Sequence, residues 1–304
     1  MIRMLMGLVD VGSNTIRLVV ARLEKGTFQE VFSQREYVGL VGFVAGGRLE
    51  PAGEEKLLET LSAMAALSRM AGCQRIDAFA TAALRKVEEP APLLRRIFQH
   101  TGLELRILSG KEEARYDLLG LRWETGARMG TGLDLGGGSC QVFSFREGEL
   151  EEGASLPCGA LALYRRFVSG VIPTSRERRA IRRYVQEELA RCPALQGAGR
   201  GGVWGMGGTA RAALKVWRAL SGEEASLTLT LSQLKELGDL PTHMGLEGIK
   251  LLSKLAPQRL TSLLPGVEAL RCILEHLEAR ELTVLRSGVR EGYLWQAAGE
   301  EGTD

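Results

Sequence analysis

Apolar and turn-forming residues divide the first forty positions into strand, turn, strand, turn, strand. Leu5 to Val11 is an apolar run, Gly12-Ser13-Asn14 breaks it, Ile16 to Leu23 is β-rich, Lys25-Gly26 turns again, and Phe28 to Ser33 alternates. Residues 54–71 change period: Leu57, Leu58, Leu61, Met64, Ala65 and Ala66 recur at helical spacing. Ile76 to Ala80 predicts a strand, Thr81 a helix cap behind it, Leu93 to Gln99 more helix, Leu103 to Leu108 another strand, and a helix starts near Lys111.

The opening pattern then returns. Residues 9–31, VDVGSNTIRLVVARLEKGTFQEV, resemble residues 133–156, LDLGGGSCQVFSFREGELEEGASL, about 124 positions on. Each copy carries Asp, x, Gly, a turn of small residues, a second strand, a charged-Gly hairpin and a third strand. That spacing is too long for a solenoid, so it implies two similar domains facing each other across a cleft. Beyond it, residues 176–191 place Ile181, Tyr184, Val185 and Leu189 on one helix face, and Val203-Trp204-Gly205 is a short strand ending in Gly207-Gly208-Thr209. A helix from Ala210 to Leu220, a largely helical stretch over 232–278, a strand from Leu282 to Leu285 and a last helix from Gly292 to Ala298 complete the pattern, with GEEGTD read as a frayed tail.

Composition narrows the classes. The 304 residues are 45% hydrophobic and 25% charged, enough for a packed core in two domains. The net charge of +2 gives no footprint for nucleic acid, so an anion site must come from local arrangement. The five cysteines are scattered without a CxxC pair, which argues against a disulfide framework or zinc site and fits a reducing, cytoplasmic setting. The apolar start is cut by Asp10 and reads as a strand, neither a membrane span nor a cleaved leader.

Three glycine turns carry the chemistry. Successive amides in Gly12-Ser13-Asn14 and in Gly136-Gly137-Gly138-Ser139 can form concave anion sites. Asp10 and Asp134 stand two residues before these turns. A carboxylate beside phosphate oxygens repels them unless a cation lies between, so both are candidate Mg²⁺ holders; the plainer reading is a turn-favouring Asp in a hairpin. Gly207-Gly208-Thr209 opens a helix whose N-terminus favours phosphate, or is simply a capped turn. Ser109 and Glu112 have capping-box spacing, which gives Glu112 a structural task and leaves Glu113 as a candidate general base. Arg85 is a candidate phosphate contact or a solvated helix charge, and Arg17 lies just past the first turn. Arg179, Arg182, Arg183 and Gln186 share one face of their helix, either a guide for a long polyanion or its wet side.

The blocks DVGSNTIRLVVA, ATAALRK, ILSGKEEARYDLLG, LDLGGGSCQVF, GMGGTARAA and SGVREGYL resemble, in order and from about residue 7 to 295, the exopolyphosphatase / guanosine pentaphosphate phosphohydrolase (Ppx/GppA) family. The resemblance implies an α/β fold of two ribonuclease-H-like domains of the actin, Hsp70 and hexokinase superfamily around a central cleft. The expected domains are residues 1–122 with the last helix, 292–304, and residues 123–291. It further implies Mg²⁺-dependent release of the terminal phosphate from inorganic polyphosphate or guanosine pentaphosphate. Glu113 would be the base, and Gly12, Ser13, Asn14, Arg17, Arg85, Gly136, Gly137, Gly138, Ser139, Gly207, Gly208 and Thr209 the phosphate contacts. A form without the family's helical HD-type domain is expected, and a homodimer is an expectation from relatives alone.

The chain departs from the pattern in places. Cys140 and Gln141 stand for the family's Thr and Glu, Glu88-Glu89 for its usual Asn, and Leu285-Arg286-Ser287 for an Asp. Gln141 keeps shape and a carbonyl acceptor but loses charge. The competing expectations are a weak or inactive binder of polyphosphate or guanosine penta- and tetraphosphate, and a sugar or acid kinase of the same fold, for which no acceptor motif is present.

Overall fold

The computed structural model describes residues 4–300 and divides into two units, residues 4–123 with 289–300, and residues 124–288. Residues 1–3, ahead of the first predicted strand, and 301–304, the end of the predicted frayed tail, lie outside the described residues.

The first unit is a five-stranded sheet in the order β3-β2-β1-β6-β7. Strands β1 (Met4–Val11), β2 (Thr15–Glu24) and β3 (Thr27–Tyr37) form an antiparallel meander. A small hairpin of β4 (Val44–Ala45) and β5 (Arg48–Leu49) leads to helix α1 (Pro51–Met70). Strand β6 (Arg75–Ala80) then pairs parallel to β1, helix α2 (Ala91–Thr101) crosses over, β7 (Leu105–Ile107) pairs parallel to β6, and α3 (Gly110–Thr125) follows. The sheet is covered on both faces, which is why β1 reads as an unbroken apolar run. Val9 and Val11 pack with Leu57, Leu61 and Ile97, while Met6 and Leu8 pack with Phe79, Tyr116 and Leu294.

The second face is closed by the last helix, Val289–Glu300, which returns to this unit after the whole of the other has been built. Tyr293 seats it, lying 5.0 Å from the Tyr116 ring and 5.5 Å from the Phe79 ring, with its hydroxyl donating to Asp77 at 2.8 Å. Gly292 lets it approach α3 closely, since a Cβ there would stand 1.9 Å from the Tyr116 carbonyl oxygen.

The second unit repeats the plan in a six-stranded sheet, β10-β9-β8-β11-β13-β12. Strands β8 (Met129–Leu135), β9 (Cys140–Arg146) and β10 (Glu149–Leu156) are the second antiparallel meander. Helices α4 (Ala160–Phe167) and α5 (Ser175–Ala190) precede β11 (Val203–Met206), which pairs parallel to β8 and runs into α6 (Gly207–Ser221). Strand β12 (Thr228–Thr230), α7 (Leu231–Leu255), α8 (Leu263–His276) and β13 (Glu281–Val284) complete it, with β12 antiparallel at the edge.

Several local expectations are corrected. Thr81 starts no α-helix: its amide donates to the Val11 carbonyl at 3.1 Å, a short 3₁₀ turn spans Leu84–Lys86, and α2 begins only after Pro90. The stretch 232–278 is mostly helical as expected, and resolves into two helices, the first kinked at Gly245 and the break between them holding Pro257. The predicted basic face of α5 is partly turned inward. Arg178 is buried against Glu268 and Asp239, and Arg182 donates to Glu268 at 2.9 Å, while Arg179 and Arg183 stay exposed. Helix α4 and strand β12 are additions.

Substituting Gly292→Ala should push the last helix off α3. We expect a loss of about 1–3 kcal/mol, the usual cost of overpacking, read as a lower urea midpoint at unchanged slope.

Candidate functional site

The two predicted hairpin turns share one backbone geometry. In the first unit the Gly12 amide donates to the Thr15 carbonyl at 2.9 Å; in the second, the Gly136 amide donates to the Ser139 carbonyl at 3.0 Å. Both are braced through their carbonyl oxygens. Ser13 O accepts from Val41 at 2.9 Å and Asn14 O from Val38 and Gly39 at 3.1 and 3.0 Å. Gly136 O accepts from Ala160 at 2.9 Å and Gly137 O from Leu161 and Ala162 at 3.0 and 2.9 Å, all at the start of α4. Among the described residues the amides of Ser13, Asn14, Gly137 and Gly138 make no hydrogen bond. A turn with its carbonyls held from behind and its amides left over is suited to an anion.

Around the first turn, Asp10 ends β1 and its Oδ2 accepts from Arg290 Nη1 of the last helix at 2.7 Å, both side chains largely buried. Arg17 is the cross-strand partner of Asp10; its Nη2 donates to Ser33 Oγ at 2.9 Å. Burial, then the positive charge of Arg290, holds the Arg17 guanidinium below its usual pKa. Ser13 is buried.

Glu113 is 6% exposed on the first turns of α3, and Arg85 Nη1 donates to its Oε2 at 2.7 Å while also donating to the Leu108 carbonyl at 2.9 Å. Glu112 makes the capping box: Ser109 N donates to its Oε2 at 2.8 Å and Glu112 N to Ser109 Oγ at 3.2 Å. Those bonds, with Arg106, hold the Glu112 carboxyl below its usual range. The two neighbouring acids therefore divide as their spacing suggests, one capping and one buried beside a guanidinium. Asp117, one turn further along α3, is fully buried as well.

Around the second turn, Asp134 ends β8 and faces the third turn. A Cβ on Gly207, whose φ is +88°, would stand 2.3 Å from Asp134 Oδ1. Gln141 is 1% exposed and pairs across the strands with Asp134; its Nε2 donates to Ser139 Oγ and Ser155 Oγ, each at 3.2 Å. Thr209 is fully buried and its Oγ1 has no partner among the described residues. Arg259 lies against Gly208 at the same turn.

The donor set bears on the expected Mg²⁺. Among the described residues no three His, Cys, Asp or Glu side chains converge to hold a metal. Mg²⁺ is commonly held by one or two carboxylates with water and substrate phosphate, so a single Asp can suffice. Asp10 fits poorly as a direct ligand, because Arg290 already supplies its positive charge and Arg17 lies beside it. Asp134 stands between two glycine turns of its own unit, with the Arg259 guanidinium against Gly208 of the second of them.

Sequence reasoning missed Arg290, Asp117 and Arg259. Arg290 stood in view within the SGVREGYL block, but its partner is 280 residues away and nothing local pairs them. Asp117 carried a usable signal, since it sits one helical turn from Glu113.

The profile of the Ppx/GppA phosphatase family matches residues 19–301. A Mycobacterium tuberculosis protein named exopolyphosphatase 1 is 33% identical over 193 residues, covering 62% of this chain and 56% of that protein, so the chain matches little over half the length of that relative. The Mycobacterium leprae exopolyphosphatase 1 is 26% identical over 98% of this chain and 91% of that protein. Among solved structures, the Aquifex aeolicus Ppx/GppA family member superimposes with TM-score 0.81 at 24% identity, covering 100% of both chains. An exopolyphosphatase from Cytophaga hutchinsonii gives TM-score 0.85 at 18% identity, over 97% of this chain and 98% of that one. These structures establish the shared fold, a mixed α/β architecture with two main sheets. With the profile running over most of its length, the chain belongs to the Ppx/GppA phosphatase family.

Proposed function

We propose that the protein hydrolyses the terminal phosphoanhydride bond of inorganic polyphosphate or guanosine pentaphosphate, with Mg²⁺, in the cytoplasm. The observation that carries this reading is the pair of like-built turns, each with its carbonyls braced and two amides left over. The relatives named exopolyphosphatase support the substrate class. No helix among the described residues is long and apolar enough to cross a membrane.

In this reading the amides of Ser13, Asn14, Gly137 and Gly138, with Arg17, bind phosphate oxygens. Phosphoryl transfer asks mainly for positioning and charge neutralisation, and preformed amides supply both without reorganising. Glu113 accepts the proton of the attacking water. Arg85 anchors its Oε2 and so fixes the plane of the carboxylate, which makes Arg85 a positioning residue for the base as well as a candidate phosphate contact. Asp134 would hold the Mg²⁺, which when bound supplies positive charge to the phosphate oxygens. Asp10 instead keeps Arg290 in place.

The test is phosphate release from long-chain polyphosphate and from guanosine pentaphosphate with Mg²⁺. Glu113→Gln should lower it by about 100-fold or more, the usual weight of a general base. Wild-type protein that releases nothing from either substrate, or a variant as active as wild type, overturns the reading.

A second reading, binding of polyphosphate or guanosine penta- or tetraphosphate without turnover, rests on Gln141. Its amide donates to two serine hydroxyls where a carboxylate would accept from them. If hydrolysis is the working activity, Gln141→Glu should leave the rate within about tenfold of wild type; a gain well beyond that, from a wild type that binds tightly, favours the binder.

A further inference from the structure

We infer that Glu291 weakens the hold of the first turn on phosphate: its carboxylate offsets the guanidinium groups of Arg17 and Arg290, so that the bound anion can leave. The inference rests on the proposal that this turn receives phosphate. It gives a task to an acid of the SGVREGYL block that the reaction above does not use.

All the groups concerned belong to the first unit. Asp10 stands two residues before the turn, opposite Arg17 across the strands, and accepts from Arg290 Nη1 at 2.7 Å. Two guanidinium groups therefore flank one carboxylate. Glu291 is the next residue of the last helix, and its Oε1 lies 4.0 Å from Arg290 Nε. The side chains of Asp10, Arg17, Arg290 and Glu291 are 15–18% exposed, so solvent and salt screen their mutual interaction only partly. Arg17 registers the balance. Burial first, then Arg290 and Arg35, hold its pKa down, while Glu30 and Glu291 act against them. Glu30 is 43% exposed and faces water; Glu291 is the enclosed acid of the two.

A carboxylate in the first turn of a helix is favourable by itself, and Glu291 has that position. An acid kept for the helix end alone would turn its oxygens to an amide or to water. Glu291 Oε2 does neither: it is closed to solvent and has no hydrogen-bond partner among the described residues. Such an oxygen is costly to stability. Arg17 Nε is likewise buried without a partner. These groups thus act on one another through charge rather than through hydrogen bonds. An oxygen that water does not reach is not a ligand contact either, so Glu291 acts on a bound anion through its field. Removing it raises the local charge by one unit, whatever else the two guanidinium groups touch. For a unit charge about 10 Å away at an effective dielectric constant of about 20, that is about tenfold in anion affinity. Tight ground-state binding of this kind does not speed the reaction, and a product held too firmly slows release.

The experiment measures tripolyphosphate binding by titration calorimetry in EDTA, with melting temperature read in parallel, for wild type, Glu291→Gln and Glu291→Asp. Glu291→Gln should bind about tenfold more tightly than wild type. On polyphosphate its KM should fall, and inorganic phosphate should inhibit it more strongly. Glu291→Asp keeps the charge and should bind within about threefold of wild type. Should Glu291→Gln fail to fold, Glu291→Met, of similar size and also uncharged, should show the same gain. If Glu291 serves only the helix end, the uncharged variant will melt lower and bind tripolyphosphate no more tightly, which overturns the inference. An equal gain in Glu291→Asp overturns it as well. A wild type that binds tripolyphosphate, with the gain in Glu291→Gln, but hydrolyses nothing would leave this inference standing and remove the hydrolase reading alone. A wild type that binds no tripolyphosphate removes both.

Discussion

The second turn depends on the way α4 spends its first amides. Three of them bond to the carbonyls of Gly136 and Gly137, so the helix start is satisfied by the turn and the turn is fixed by the helix. A peptide group held by its oxygen has its N–H direction set with it. The loop after β3 does the same for Ser13 and Asn14. The two halves thus reach one backbone geometry with different bracing elements, a helix in one and a loop in the other, which indicates that the orientation of the amides is what the repeat preserves.

Charge is then distributed unevenly over this common frame. The first unit gathers guanidinium groups, with Arg17 and Arg290 around Asp10 and Arg85 on Glu113. The second unit places Asp134 and Gln141 side by side across β8 and β9, with hydroxyl groups of Ser139 and Ser155 beyond them. The first turn is therefore ringed mainly by guanidinium groups, while the second has a carboxylate beside a neutral amide. That division follows from which side chains follow each turn, since the backbones alone are nearly the same.

What the sequence made legible was whatever a single element carries within itself. The two meanders, the parallel strands behind them and the capping box of Ser109 and Glu112 are written in spacings of two or three residues, and the structure has them. The helix expected after Thr81 failed because its amide pairs with Val11, a contact set by the parallel ladder, and because Pro90 delays α2. Helix α4 was hidden for a related reason: it starts after Gly159 without a capping side chain, its amides being met by carbonyls more than twenty residues upstream. Arg290 and Arg259 lay beyond reach because their meaning comes from partners that only the tertiary fold brings near.

The return of the last helix has a bearing on how the chain is made. A ribosome delivers residues in order, so the first unit emerges with one face of its sheet bare and Asp10 without its guanidinium. The entire second unit must be synthesised before Arg290 appears. During that interval Met6, Leu8 and Phe79 lack the apolar cover of Leu294 and Ala298, and exposed apolar surface of this kind is what makes partly made chains prone to aggregate. The seating of Arg290 beside Asp10 is in this sense a late event of translation, since the whole second unit precedes Arg290 in the chain.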